Sequence, residues 1–315
     1  MPDSSEDLHD LQQPVREIHR RFHELIEPLR PDLYRYFLSL CGSPFDAEDL
    51  VQETLTRAFG RLFQFYQPLE TRKYIFRMAT NLWIDQQRRA RKIRFEPLEV
   101  DPESSAFSPE TSVDTHAALE RAVDLLEPRQ RVALLLKDVF GFSLDEIATF
   151  LETTPGAVKA LLRRGRIRVS SVPHDAAPGR PDPARVRLAH AYADCFTAQD
   201  WDGLVSLLRQ DATATIVGVD EEHGRDYIRG TSIKDASLNT LPGQRAEAIL
   251  LDGEPVVLHL FKPDDGPEAL RSVIRISTDG HDITHVRDYW FCPDVVHEVA
   301  SRLNLRAEPS GSYTV

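Results

Sequence analysis

Two all-α domains, the second a helix-turn-helix, followed by an α+β domain: this is the fold class the sequence predicts, and three observations predict it. The first 170 residues carry apolar side chains at three- and four-residue spacing. Pro-, Ser- and acid-rich stretches at Phe95 to Ser112 and Val172 to Pro183 interrupt that spacing. From Ala184 onward, two amphipathic helices give way to strand-like runs. A chain of 315 residues exceeds what one core usually serves. We place domains at residues 15–95, 115–171 and 184–315, joined by linkers at 96–114 and 172–183, and find no internal repeat.

Composition narrows the class. Hydrophobic residues at 41% and charged residues at 28% are ordinary for a globular chain, and no apolar run approaches the ~20 residues that span a bilayer. The opening MPDSSEDLHD is acidic and lacks the apolar core of a signal peptide, so a cytoplasmic location without membrane association is expected. Cys41, Cys195 and Cys292 form no CxxC pair and have no metal-ligand spacing with histidine, so reduced thiols without a metal or disulfide framework are expected. The net charge of −12 argues against phosphate binding only if it is evenly spread. It is not: RRARKIR (Arg88 to Arg94) and KALLRRGRIR (Lys159 to Arg168) contain no acid.

In the first domain, Asp46 and Asp49 suit the first turn of a helix, where short acids accept free amide hydrogens and oppose the dipole. Leu50, Val51, Leu55, Ala58, Phe59 and Leu62 form its apolar face, leaving Glu48, Gln52, Glu53 and Thr56 outward. A second helix is predicted over Arg72 to Arg94, with Ile75, Met78, Ala79 and Leu82 on one stripe. Asn81 is an amide among apolar neighbours, which calls for a partner or a task.

In the second domain, Pro128 opens a helix containing Val132, Leu134, Leu135 and Val139, which FGF then breaks. Ser143 and Glu146 make a capping box for a helix through Leu151. Thr154 caps the next helix, with Pro155 at its first position. Helix, short turn and helix make a helix-turn-helix, with Ile147, Leu151 and Val158 packing the pair. The second helix carries Lys159, Arg163, Arg164, Arg166 and Arg168, the residue types that reach phosphates and base edges in a major groove; a solvated basic helix end is the alternative.

Three strings in one order, FDAEDLVQETLTRAF (Phe45 to Phe59), YIFRMATNLWIDQQRRAR (Tyr74 to Arg91) and LLEPRQRVALLLKDVFGFSLDEIATFLETTPGAVKALLRRGRIRV (Leu125 to Val169), resemble the extracytoplasmic-function sigma factors of the sigma-70 family. The resemblance implies a chain that brings core RNA polymerase to promoter DNA, with no catalytic residue of its own. It implies that Asp46, Glu48, Asp49, Gln52 and Glu53 dock on the polymerase. It implies that Asn81, Arg88, Arg89 and Arg91 contact the −10 element, with Tyr74 and Phe76 nearby; Phe63, Phe65 and Tyr66 line a base pocket or else belong to the core. It implies that Thr154, Lys159, Arg163 and Arg164 contact the −35 element. Many relatives have tryptophan where this chain has Tyr74 or Ile75, which bears on promoter preference.

In the last domain, EAILLDGEPVVLHLFK (Glu247 to Lys262) reads as a hairpin about DGEP, and ALRSVIRISTDGHDITHVRDYWF (Ala269 to Phe291) as another about TDGHD. With AYADCFTAQDWDGLVSLLRQDATATI, this part resembles the SnoaL-like α+β cone. Asp194, Asp211, His259, His285 and Tyr289 are its candidate pocket residues; none makes a convincing acid/base pair, and His281 and His285 lie on a turn and a strand. No catalysis, metal or cofactor is therefore expected. The resemblance implies regulation in cis through contact with the sigma domains and leaves room for a small ligand; the DGGGR motif of some fused relatives is absent. Two other readings stand beside it: a DNA-targeted enzyme using the cone on a small hydrophobic substrate, and a helix-turn-helix regulator independent of polymerase.

Overall fold

The computed structural model describes residues 17–18, 20–61, 70–93, 126–170, 182–241, 243–263 and 266–309. The linker at 96–114, most of that at 172–183, and Phe63, Phe65 and Tyr66 lie outside the described residues. The chain divides into two compact units, residues 1–175 and 176–314.

The first unit is helical. A 3-10 turn, Glu27–Leu29, leads into α1 (Arg30–Cys41), which stops at Gly42 because its φ of 75° is the left-handed cap that glycine adopts without strain. Helix α2 (Pro44–Arg61) begins two residues before the expected Asp46. Its first turn is capped by Ser43, whose Oγ accepts from the Asp46 amide at 3.2 Å, so the acids sit inside the helix and not at its cap. Helix α3 spans Thr71–Ile93. The three pack around Leu33, Phe37, Leu40, Phe45, Val51, Phe76 and Trp83, each worth roughly 1.5–3 kcal/mol of transfer free energy or more. The Tyr36 hydroxyl and the Thr80 Oγ1 pair at 2.8 Å inside that core.

Helix α4 (Pro128–Leu134) runs into a π-helical turn, Leu135–Val139, before α5 (Leu144–Phe150) and α6 (Pro155–Ser170). The capping box is present: Glu146 N–H donates to Ser143 Oγ at 3.2 Å, and Ser143 N–H donates to Glu146 Oε2 at 2.7 Å. Ile147, Leu151 and Val158 are buried between α5 and α6 as the helix-turn-helix reading requires.

The second unit is α+β, as the helix-then-strand pattern of the sequence predicts. Helices α7 (Pro183–Thr197) and α8 (Trp201–Ser206) precede β1 (Leu208–Ile216) and β2 (Asp220–His223). Short helical turns, α9 (Arg225–Ile228) and α10 (Lys234–Leu238), lead to β3 (Gln244–Leu251), β4 (Glu254–Phe261), β5 (Ala269–Thr278) and β6 (Ile283–Asp288). Helix α11 (Pro293–Leu303) and a short β7 (Arg306–Ala307) follow. Both expected hairpins form; that of β3 and β4 turns at Asp252 and Gly253, whose φ values of 52° and 83° are those of a type I′ turn. The sheet order is β2-β1-β6-β5-β4-β3, with β7 on β5, and β1 joins β6 in parallel. Leu188, Tyr192 and Phe196 of α7 cover the sheet face that presents Ala214, Ala246, Val257, Ile274, Ile276 and Val286.

Candidate nucleic-acid interface

Helix α6 is positioned by the side it buries. Val158, Leu161 and Leu162 face inward, and Gly165 lets α4 approach so closely that a Cβ there would lie 2.8 Å from Leu134 Cδ1. Thr154 Oγ1 accepts from the Ala157 amide at 3.2 Å, so its hydroxyl acts as a helix cap. The five basic residues then separate into two groups. Arg166 is paired with Asp138 at 2.7 Å, and Arg168 donates to Gln130 Oε1 at 3.3 Å, so both help to hold α6 on its own domain. Lys159, Arg163 and Arg164 are exposed and meet no side-chain partner among the described residues.

On α3, Arg88 and Arg89 are exposed, Arg88 lying 3.4 Å from Asp85, and Asn81 is half-buried. The side chain of Arg91 is outside the described residues. Phe76, expected near DNA, is fully buried in the helical core, which removes it from that surface.

The acidic helix α2 also divides. Asp46 and Glu53 are exposed, Asp49 and Gln52 half-buried, and Glu53 is paired with Arg57 one turn on. Glu48 corrects the expected outward face: it has no exposed surface and is held by Arg30 through Nη2 at 2.5 Å and Nη1 at 3.4 Å, while Gln52 donates to its Oε1 at 2.7 Å. The spacing carried this signal, since Glu48 lies three residues after Phe45 and three before Val51, on the buried stripe.

In the second unit the five candidate pocket residues do not converge. Asp194 and Asp211 are exposed, and His285 pairs through Nε2 with Thr215 Oγ1 at 2.9 Å. Tyr289 is buried. Only His259 lies on the face covered by α7, stacked on Phe196 with ring centroids 4.1 Å apart. Neither of its ring nitrogens finds a partner among the described residues, and burial drives its pKa down to about 3. Two residues that the sequence did not single out share that face: Ser272, opposite His259 in the β4–β5 register, and Asp288, whose Oδ1 accepts from Ser272 Oγ at 2.5 Å. Burial raises the Asp288 pKa to about 6 against the lowering effect of the Ser272 bond and the Trp290 amide. Among the described residues, no cluster of three or more His, Cys, Asp or Glu side chains could hold a metal ion, and no helix is long and apolar enough to cross a membrane.

Residues 25–93 match the family described as Sigma-70 region 2, and residues 116–169 the family described as Sigma-70, region 4. The RNA polymerase sigma-E factor of Streptomyces coelicolor is 30% identical over 152 residues, 47% of this chain and 83% of that protein. The chain belongs to the ECF sigma factors of the sigma-70 family. The ECF sigma factor SigE of Mycolicibacterium smegmatis is 38% identical over 149 residues, 45% of this chain, and SigG of Mycobacterium tuberculosis is 32% identical over 231 residues, 64% of this chain. The chain spans 58% and 62% of the lengths of those two ECF relatives. Among solved structures, the sigma factor RpoE from Bartonella quintana, crystallised with the anti-sigma factor NepR, is similar at 28% identity with a TM-score of 0.38, covering 48% of this chain and 95% of that one. The ECF sigma factor SigJ of Mycobacterium tuberculosis is similar at 23% identity with a TM-score of 0.32, covering 84% of this chain and 94% of that one.

Proposed function

We propose that this chain brings core RNA polymerase to particular promoters and starts transcription, without chemistry of its own. The observation that carries the reading is the division of charge on α6: Arg166 and Arg168 are spent on Asp138 and Gln130, whereas Lys159, Arg163 and Arg164 stand on the outer face of a capped helix in a helix-turn-helix. These three contact the −35 element, with Thr154 fixing the start of the helix. Asn81, Arg88, Arg89 and Arg91 contact the −10 element from α3. Asp46, Asp49, Gln52 and Glu53 dock on a basic surface of polymerase; Glu48, being buried, is not part of that surface. The net charge of −12 fits a protein whose promoter affinity is completed by polymerase.

The α+β unit modulates this activity in cis and is not an enzyme. In support, Asp194, Asp211 and His285 lie off the face covered by α7, and His259 on that face is neutral and covered by Phe196. A cytoplasmic location follows from the proposed partners. The test of the regulatory part is run-off transcription by the full chain and by residues 1–175 with core polymerase. Equal transcript yield and equal polymerase affinity would remove the role assigned to the α+β unit; we expect them to differ.

A further inference from the structure

The α+β unit carries a groove of about 380 Å³ that none of the five candidate pocket residues lines. One wall is α8; the other is the run of α9, a π-helical turn at Arg229–Ile233 and α10. Its floor is apolar: Val205 and Ile233 are buried members of the core under α7. Trp201, half-buried, stands edge-on to Phe196, with ring centroids 5.6 Å apart. At the exposed rim, Arg229 donates to Asp202 Oδ1 at 2.6 Å, which ties one wall to the other and fixes the width. The volume falls at the small end of the range of about 300–1,000 Å³ that small-molecule sites occupy.

The charges at the rim are not evenly met. Asp202 holds Arg229, and Asp226 accepts from Gln210 Nε2 at 3.3 Å. Lys234, the first residue of α10, is exposed, and its ammonium has no partner among the described residues. An apolar floor with one unmet cation at its edge suits a molecule with an apolar body and an anionic head. Gly230 keeps the space clear, since a Cβ there would meet nothing within 4 Å.

We infer that this groove binds a medium-chain carboxylate, with the alkyl chain on Trp201, Val205 and Ile233 and the carboxylate on Lys234 Nζ. A carboxylate is selected over an amine because the unmet charge is positive. It is selected over an alcohol because an ammonium offers donors only, and its bond to an anionic acceptor is the stronger one. The inference goes beyond the modulating role proposed above and does not depend on it, since the site lies wholly within residues 201–237.

The test is titration calorimetry of the full chain with octanoate and, separately, with 1-octanol. Lys234→Met keeps the apolar stem and removes the charge, whereas Gly230→Leu places a side chain in the open space of the groove. Circular dichroism and thermal midpoints check that both variants fold. We expect one octanoate per chain, bound about fivefold more weakly by Lys234→Met, with octanol affinity the same in parent and Lys234→Met. Gly230→Leu should lose saturable binding of both. No saturable heat with octanoate in the parent would overturn the site, as would octanoate affinity equal in parent and Lys234→Met, or undiminished in a folded Gly230→Leu. If Gly230→Leu does not fold, the octanoate and octanol comparison in Lys234→Met decides alone. Equal transcription by the full chain and residues 1–175 would remove the modulating role and leave this result standing.

Discussion

The buried Glu48 pairs with the half-buried Arg30 and so ties α2 to the start of α1, with Gln52 adding a hydrogen bond to the same carboxylate. Taking one partner away leaves an uncompensated charge in the core, a change that costs about 3–5 kcal/mol. Glu48→Ala therefore lowers the urea midpoint of the helical unit, and Arg30→Ala does the same. Asp46→Ala, on the exposed side of the helix, leaves stability within about 0.5 kcal/mol of the parent while weakening polymerase binding. Equal loss of stability in Asp46→Ala and Glu48→Ala would contradict this division of the helix.

Lys159→Ala, Arg163→Ala and Arg164→Ala are expected each to weaken binding to −35 DNA and to reduce the slope of log affinity against log salt by about 0.9 where a phosphate is contacted. Arg166→Ala is the control. Its guanidinium faces Asp138, so DNA affinity holds while stability falls by about 1 kcal/mol or less. Filter or fluorescence titrations at several salt concentrations distinguish the two groups.

Gly165→Ala places a methyl against Leu134 and is expected to cost about 1–3 kcal/mol, because Leu134 must leave its position in a filled core. The same substitution at Gly60, where nothing lies within 4 Å, is tolerated or slightly stabilising. Thermal midpoints of the two variants make the comparison.

His259 and Asp288 act on the α+β unit in opposite directions as pH changes. The folded pKa of His259, about 3, lies below its ordinary 6.5, so the unfolded chain binds the extra proton and stability is lost as pH falls from 6.5 towards 3. The folded pKa of Asp288, about 6, lies above its ordinary 3.8, so the fold binds the proton and stability is lost as pH rises from 3.8 through 6. Between pH 4 and 6 the slopes oppose each other. Asp288→Asn should leave stability falling steadily with acid over that range. His259→Phe should remove the acid loss and, by eliminating two unmet ring nitrogens, stabilise the unit by about 1–3 kcal/mol at neutral pH. Thermal melts from pH 4.5 to 7.5 read both; parallel curves for parent and variants would contradict the assignment.

What could be read in the sequence was local. The Ser143–Glu146 box, the Thr154 cap and the Asp252–Gly253 turn depend on neighbours within four residues, and all three stand where the residue types put them. The cation set of α6 was legible as a set, but not its division, because Arg166 and Arg168 take partners from the turn after α4 and from α4 itself, 28 and 38 residues away. The parallel pairing of β1 with β6 joins segments about 70 residues apart, and no periodicity reports it. Phe76 failed as a DNA candidate for the same reason: its neighbours Phe140 and Phe142 belong to the other helical lobe.

The central claim is that this chain is a working sigma factor, and transcription from a defined promoter measures it most directly. Core polymerase, the full chain and a library of promoter fragments are incubated with nucleotides, and the initiated transcripts are sequenced. The account predicts transcripts that start downstream of one shared pair of −10 and −35 sequences and that are lost when Lys159, Arg163 and Arg164 are all replaced by alanine. Transcripts no more abundant than with core polymerase alone would contradict it.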